Sequence, residues 1–153
     1  MEYEYSFNVK NINKYINYCK ENNYEFIEEN DQCRTIYRNI NGTMGRITIK
    51  NNTSMFLDFK EDKLSKEILI ERKETPCIEF FDLDAIESIL SFLEYKKDNT
   101  LERNRKVYVK NGVKFEIDSY TKPEVNYVIA IEGIKNEVDI VYEEVKSLYK
   151  DVK

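Results

Sequence analysis

The sequence predicts an α+β domain built on an antiparallel sheet, and three observations carry that prediction. Residues 2–9 alternate strictly, with Tyr3, Tyr5, Phe7 and Val9 on one side and Glu2, Glu4 and Ser6 on the other, which is the two-residue period of a half-buried strand. Runs of the same kind recur along the chain, separated by Asn-Gly and Asn-Asn pairs suited to hairpin turns. A few stretches carry their apolar residues at helical spacing instead. The length of 153 residues, with 41% hydrophobic and 13% aromatic content, fits one domain over residues 1–153, able to bury roughly two-thirds of the surface that the unfolded chain exposes.

In chain order, the opening strand is followed by a short amphipathic helix. Ile12, Tyr15, Ile16 and Cys19 share a face behind candidate caps Asn11 and Asn13, and Asn22-Asn23 stops the run. Strands are expected at 24–28, 34–38, 46–50, 55–60 and 67–72, with turns at Asn41-Gly42 and Asn51-Asn52. Asp82 is placed to cap a central helix whose Leu83, Ile86, Ile89, Leu90 and Leu93 form one stripe. Strands resume at 103–109, at 113–118 after the Asn111-Gly112 turn, and at 127–132. A last helix over 136–150 carries Val138, Val141, Val145 and Leu148 on one face, a stripe expected to pack on the sheet. The sum is about eight strands and three helices.

Composition removes several function classes. The chain has no His, so a Ser/His/Asp triad, a Cys/His pair, a His-ligated metal and a histidine general base are all excluded. Its net charge of -5 gives no general attraction to nucleic acid or to an anionic membrane. Cys19, Cys33 and Cys77 form no C-x-x-C pair, fit a reducing compartment and read as small buried hydrophobes. The first residues lack the features of a signal peptide and no stretch approaches the roughly 20 apolar residues of a membrane span, so a soluble cytoplasmic protein is expected. The 12 Tyr read as sheet packing. No oligomer is assigned, although the last helix leaves a homodimer open.

The chemistry lies in the charged faces of the strands. Glu2 and Glu4; Arg46, Thr48 and Lys50; Asp58 and Lys60; Glu67 and Glu71; Arg103 and Arg105; Lys114, Glu116 and Asp118; and Glu132 each follow the two-residue period. An open sheet would turn this face to water. A closed barrel would turn it inward, where acids beside Lys and Arg are costly unless divalent cations and a polyanion complete the pairing. Such an interior suits a phosphate chain. Periodicity alone leaves both arrangements open.

The charged motifs resemble, in order and spacing, those of the CYTH superfamily, the triphosphate tunnel metalloenzymes. The family's opening Glu-x-Glu-x-Lys strand is similar to Glu2-Tyr3-Glu4-Tyr5-Ser6, with Ser6 in place of the Lys. Its Arg-x-Arg strand resembles Arg46-Ile47-Thr48-Ile49-Lys50, where one Arg matches and Lys50 is the candidate for the second. Leu57-Asp58-Phe59-Lys60, Lys66-Glu67-Ile68, Arg103-Asn104-Arg105 and Phe115-Glu116-Ile117-Asp118 follow in the family order. Of the closing Glu-x-Glu, Ala130-Ile131-Glu132 keeps only the second Glu.

The resemblance implies an eight-stranded antiparallel β-barrel, a tunnel with helices packed outside, that takes a small-molecule triphosphate with Mg2+ or Mn2+. By position, Glu2, Glu4 and Glu132 would be metal ligands, assisted by Asp118 or Glu67. Arg46, Lys50, Lys60, Arg103 and Arg105 would clamp phosphate oxygens. Glu2, Glu4 and Arg105 would carry the catalytic step. The implied reaction is metal-dependent hydrolysis of tripolyphosphate, a nucleoside triphosphate or thiamine triphosphate. Two alternatives stay open: a class IV-type adenylyl cyclase releasing pyrophosphate, and a non-catalytic binder of phosphorylated ligands, the latter motivated by Ser6 and Ala130. Offsetting the loss at Ala130 would fall to Glu116 or another nearby acid, and the sequence does not decide between them.

Overall fold

The computed structural model describes residues 2–62 and 68–149, with Glu2 described by its backbone alone. The order is β1 (Glu2–Val9), α1 (Asn13–Glu21), β2 (Glu25–Arg38), β3 (Thr43–Lys50), β4 (Ser54–Glu61), β5 (Leu69–Arg72), β6 (Ile78–Phe80), α2 (Leu83–Phe92), β7 (Lys96–Lys110), β8 (Val113–Lys122), β9 (Asn126–Gly133) and α3 (Lys135–Leu148). All nine strands join one sheet in the order β5-β1-β9-β8-β7-β2-β3-β4-β6. Each pairing is antiparallel.

The turns behave as their chemistry dictates. Asn51 and Asn52, and again Asn111 and Gly112, all have positive φ, as a tight hairpin between right-twisted strands requires. The β2–β3 turn is organised by Asn39, whose side-chain oxygen accepts from the amide and hydroxyl of Thr43 and the amide of Asn41. This is the local bonding that makes Asn a turn residue.

Two expected strands, 24–28 and 34–38, are one 14-residue strand, β2. Its middle, Glu29-Asn30-Asp31-Gln32-Cys33, is polar on both faces, so hydrophobic periodicity goes blank there. Pairing with β3 on one side and with the 15-residue β7 on the other holds it extended. The strand β6 escapes prediction because three residues give no period. The expected strand over 67–72 begins at Leu69, and Glu67 lies outside the described residues.

The ladder is not a closed ring, yet its edges are joined. Beyond β5, which pairs with β1, the chain crosses to β4 and forms the bridge Lys60 to Glu74. Backbone hydrogen bonds from Glu61 N to Lys73 O (3.0 Å) and from Thr75 N to Phe59 O (2.9 Å) flank that bridge. One short segment therefore seams the two halves of the wall.

Apolar side chains lie on the helix-bearing face. Phe7, Tyr15, Phe115, Ile117, Ile129, Ile131, Val138, Tyr142 and Val145 form the main core, where α1 and α3 cover β1, β8 and β9. Fully burying a side chain of this size contributes about 1.5–3 kcal/mol. Tyr5 stacks on Tyr142 with ring centroids 4.0 Å apart, and the hydroxyls of Tyr3 and Tyr5 both donate to Asp139 at 2.5 and 2.8 Å. This polar tie fixes α3 on β1.

A second core joins Tyr37, Ile47, Phe80 and Leu90 beneath α2. The carboxylate of Asp82 accepts from Ala85 N and caps that helix, as expected. Its stripe is narrower than expected, with Ile89 and Leu93 about half exposed while Leu90 is buried. The small surface offered by β4 and the three-residue β6 covers only one line of the helix. Of the cysteines, only Cys19 is buried; Cys33 is half-buried and Cys77 exposed, and all three are free thiols. No described helix is long and apolar enough to cross a membrane.

Candidate functional site

The face opposite the helices is polar and enclosed. Its buried or nearly buried groups include Glu4, Asn30, Gln32, Arg46, Thr48, Asp58, Lys60, Arg103 and Asp118. Alternation explains the choice of side, because the odd residues of β1 and β8 enter the core and their even residues must then face the interior. The inward assignment left open by periodicity is thus decided by where the helices dock.

An acidic row crosses three strands. In register, Lys114 on β8 faces Glu132 on β9, which faces Glu4 on β1. One row further in, Glu116 faces Ala130, which faces Ser6. Carboxylate oxygens of Glu4, Glu116 and Glu132 lie within 4.8 Å of one another. Three hard oxygen donors at that spacing match the ligand preference of a hard divalent cation. The Lys114 ammonium sits among them, 2.6 Å from Glu132 and 3.7 Å from Glu116. Burial alone would push its pKa down, but those two carboxylates raise it. A cavity of about 470 Å³ opens beside this row and is lined by Tyr3, Glu74, Lys114, Glu132 and neighbouring backbone.

A basic zone occupies the neighbouring strands. Arg105 Nε and Nη2 donate to the two oxygens of Asp118 at 2.8 and 2.9 Å, and Nη1 donates to Glu116 at 2.8 Å. Burial pushes Glu116 up, yet Arg105, and after it Lys114, hold its carboxyl down at about 2. Arg46 makes a bidentate pair with Asp58 and lies 3.8 Å from Glu74. Lys60 is 3.5 Å from the same Glu74 oxygen. Arg103 donates to Gln32 Oε1 at 2.9 Å and to the Tyr120 hydroxyl at 2.8 Å, while its Nη2 is buried with no hydrogen-bond partner.

Of the residues singled out by sequence, the structure brings Glu4 and Glu132 together with Glu116. It gathers Arg46, Lys60, Arg103 and Arg105 on the same concave face. Asp118 belongs to Arg105 and lies outside the carboxylate trio. Lys50 stands at the rim, 31% exposed, 3.6 Å from Glu28. Glu2 opens β1 opposite Arg72 in register, and its side chain lies outside the described part of the chain, as does Glu67.

One periodic assignment is off by a residue. Glu71 pairs with the outward Tyr3 and is exposed, so the inward position on β5 belongs to Arg72, 3.7 Å from Glu4. Arg34 and Glu74 were also missed. Arg34 opens the expected strand 34–38, whose five residues do not fix which face turns inward, and Glu74 lies just beyond a strand end. Once β2 is read as continuous, the alternation Asn30, Gln32, Arg34 reveals the first of these.

No family model and no curated protein matches the chain. Its fold is shared with solved structures. Among solved structures, a Pyrococcus horikoshii protein superposes with a TM-score of 0.80 at 22% identity, covering 100% of this chain and 94% of the other. A Hippeastrum protein, named as an adenylyl cyclase with a dominant triphosphatase activity, has a TM-score of 0.67 at 16% identity, covering 96% and 87%. A protein from Vibrio parahaemolyticus named as an adenylate cyclase follows, with a TM-score of 0.68 at 14% identity over 99% and 92%. At these identities the likeness is one of fold.

Proposed function

We propose that the protein is a divalent-metal-dependent phosphohydrolase that takes a triphosphate (tripolyphosphate, a nucleoside triphosphate or thiamine triphosphate) along its concave face. The observation that carries this reading is the placement of the Glu4, Glu116 and Glu132 carboxylates beside buried guanidinium groups inside one wall. An acidic trio alone fits many roles, and a basic cleft alone fits any anion. Side by side and out of bulk water, they suit a polyanion that arrives with cations.

Glu4, Glu116 and Glu132 would hold Mg2+ or Mn2+, which would supply a Lewis acid and a template for phosphate oxygens. Arg46, Lys60, Arg103 and Arg105 bind and orient the phosphate chain, with Arg presenting a planar fork and Lys a point charge. As charge shifts onto the transferring group, fixed guanidinium groups stabilise it without reorganising. Asp118 and Asp58 hold Arg105 and Arg46 in place through bidentate pairs. The walls exclude water from the phosphate chain, which strengthens each of these interactions.

The test is incubation with ATP and, separately, tripolyphosphate, with Mg2+ or Mn2+ and with a metal-free control, followed by phosphorus NMR of the products. Metal-dependent orthophosphate is the expected result, and Glu4→Gln should abolish it while leaving circular dichroism unchanged. Pyrophosphate with a cyclic nucleotide would replace this reading with the cyclase. Unchanged substrates in every tube, with tight binding, would replace it with a non-catalytic binder.

A further inference from the structure

The interior arginines are not equivalent. Arg46 and Arg105 are each saturated by carboxylates, Asp58 for the first and Asp118 with Glu116 for the second. Arg34 is different. Its Nε donates to Thr48 Oγ1 at 2.9 Å, and among the described residues no carboxylate pairs with it. Arg103 on β7 stands opposite Gln32 in register, the inward position next to Arg34 on β2, so the two guanidinium groups are diagonal neighbours on the same face. Arg103 itself is 5% exposed, donates hydrogen bonds to the neutral Gln32 and Tyr120, has Asp118 at the longer distance of 3.8 Å from Nη1, and keeps a buried Nη2 without a hydrogen-bond partner. The half-buried Arg34 and the buried Arg103 thus present donors in excess, with Asp118, 3.8 Å from Arg103 Nη1, as the one carboxylate in ion-pair contact with either among the described residues, an arrangement that an anion would complete.

The register adds a second, independent point. Arg34 on β2 lies directly opposite Thr48 on β3, the position two residues beyond Arg46 where the Arg-x-Arg pattern lacks its second arginine. The hydrogen bond from Arg34 to Thr48 places the guanidinium over that position. Lys50, the candidate from sequence, sits one step further along, near Glu28 at the rim.

We propose that Arg34 and Arg103 form the seat for one phosphoryl group of the bound triphosphate, and that Arg34 supplies from β2 the guanidinium that β3 lacks at Thr48. This rests on the triphosphate reading above and assigns the residues that hold the anion most strongly. An entering phosphoryl oxygen meets Arg103 Nη2 and the Nη groups of Arg34 without first displacing a carboxylate, whereas Arg46 and Arg105 keep their carboxylate partners and act as fixed walls. Two adjacent forks match a tetrahedral dianion, which offers several acceptor oxygens.

The experiment is calorimetric titration with tripolyphosphate in Mg2+ of the native protein, Arg34→Thr, Thr48→Arg, the double swap Arg34→Thr/Thr48→Arg, Arg34→Lys and Arg103→Gln, with circular dichroism and melting curves for each. Loss of one charge-assisted fork at a buried anion predicts about ten- to a hundredfold weaker binding for Arg34→Thr and for Arg103→Gln. Arg34→Lys should fall between Arg34→Thr and the native protein, and the double swap should recover most of the loss. Should Arg34→Thr fail to fold, Arg34→Lys and the swap carry the test. Native affinity in folded Arg34→Thr, beside weakened Arg103→Gln, would overturn the role of Arg34 while leaving the triphosphate reading intact. A folded swap with no recovery would overturn the transposition from β3. Absence of binding by the native protein would overturn both the seat and the reading on which it rests.

Discussion

Glu116 stands directly opposite Ala130 across the β8–β9 ladder, and its carboxylate completes a trio with Glu4 and Glu132. The acid missing at Ala130 is thus present one strand away, and the small side chain of Ala130 leaves the space across which Glu116 reaches. If this facing acid does the work of the absent one, Glu116→Gln should weaken Mn2+ binding by about tenfold or more, the scale of losing one charged ligand interaction. Electron paramagnetic resonance of free Mn2+ measures this directly. Arg105 keeps an acceptor in the Gln and both Asp118 oxygens, so the fold should survive. Unchanged Mn2+ affinity would remove Glu116 from the centre.

Ser6 lies on the same row, beyond Ala130 from Glu116. A lysine there brings its ammonium to the boundary between the acidic trio and the phosphate-binding groups. Ser6→Lys should tighten tripolyphosphate binding by about three- to tenfold, as one added surface-to-partly-buried charge contact does. Titration calorimetry in Mg2+ decides it, and equal or weaker affinity would count against this position as the site of a lost cation.

Asp139 couples α3 to the sheet through the hydroxyls of Tyr3 and Tyr5. Those two hydrogen bonds hold its carboxyl below the ordinary value of 3.8, with Lys135 adding slightly. Because the folded-state pKa is the lower one, the carboxylate contributes stability in full above about pH 4, and the contribution is lost as the pH falls through the depressed value. Asp139→Asn should therefore be less stable than the native protein at pH 7 and nearly equal to it in strong acid. Urea unfolding across pH 2–7 tests this, and parallel curves for the two proteins would contradict it.

Gly133 follows Glu132 at the end of β9 with φ of 137°, and a Cβ there would sit 2.0 Å from the carbonyl oxygen of Gly112. Backbone, not a mobile side chain, blocks the space. Gly133→Ala should cost roughly 2–4 kcal/mol through strain and displacement of the β7–β8 turn, and should weaken Mn2+ binding as Glu132 shifts. Chemical denaturation and Mn2+ titration of one sample read both effects, and a neutral substitution would show that this turn yields easily.

Much of this molecule was legible because antiparallel alternation is a local signal. Tyr3, Tyr5 and Phe7 announced the outer face of β1, and the Asn-Gly and Asn-Asn pairs announced two of its tight hairpins. The centre of β2 was not legible, because Asn30 to Gln32 line a polar interior on one side and solvent on the other, so no hydrophobic contrast marks them. The trio likewise combined readable and unreadable parts. Glu4 and Glu132 sit at motif positions, whereas Glu116 depends on which residues of β8 and β9 face each other, a relation that only register supplies. The four residues of β5 offer too few alternations to fix its phase, so the charged pattern holds the exposed Glu71 rather than the inward Arg72.

The seam at Lys60 and Glu74 sets how wide this interior can become. Among the described residues every other junction in the wall is a ladder of at least three paired residues, whereas this one has a single bridge, flanked by two backbone hydrogen bonds and by bonds from Phe59 N to Thr75 Oγ1 and from Lys73 N to Glu61 Oε1, with ion pairs of Glu74 to Lys60 and Arg46. None of the main core residues lies across it. The wall is therefore held by fewest contacts along this line, and on the triphosphate reading a guest phosphate would compete with Glu74 for Lys60 and Arg46. Under that reading, arrival of the anion and loosening of the wall would be one event, and a bulky group attached to the phosphate chain would find room on the side that the charge of the guest had just opened.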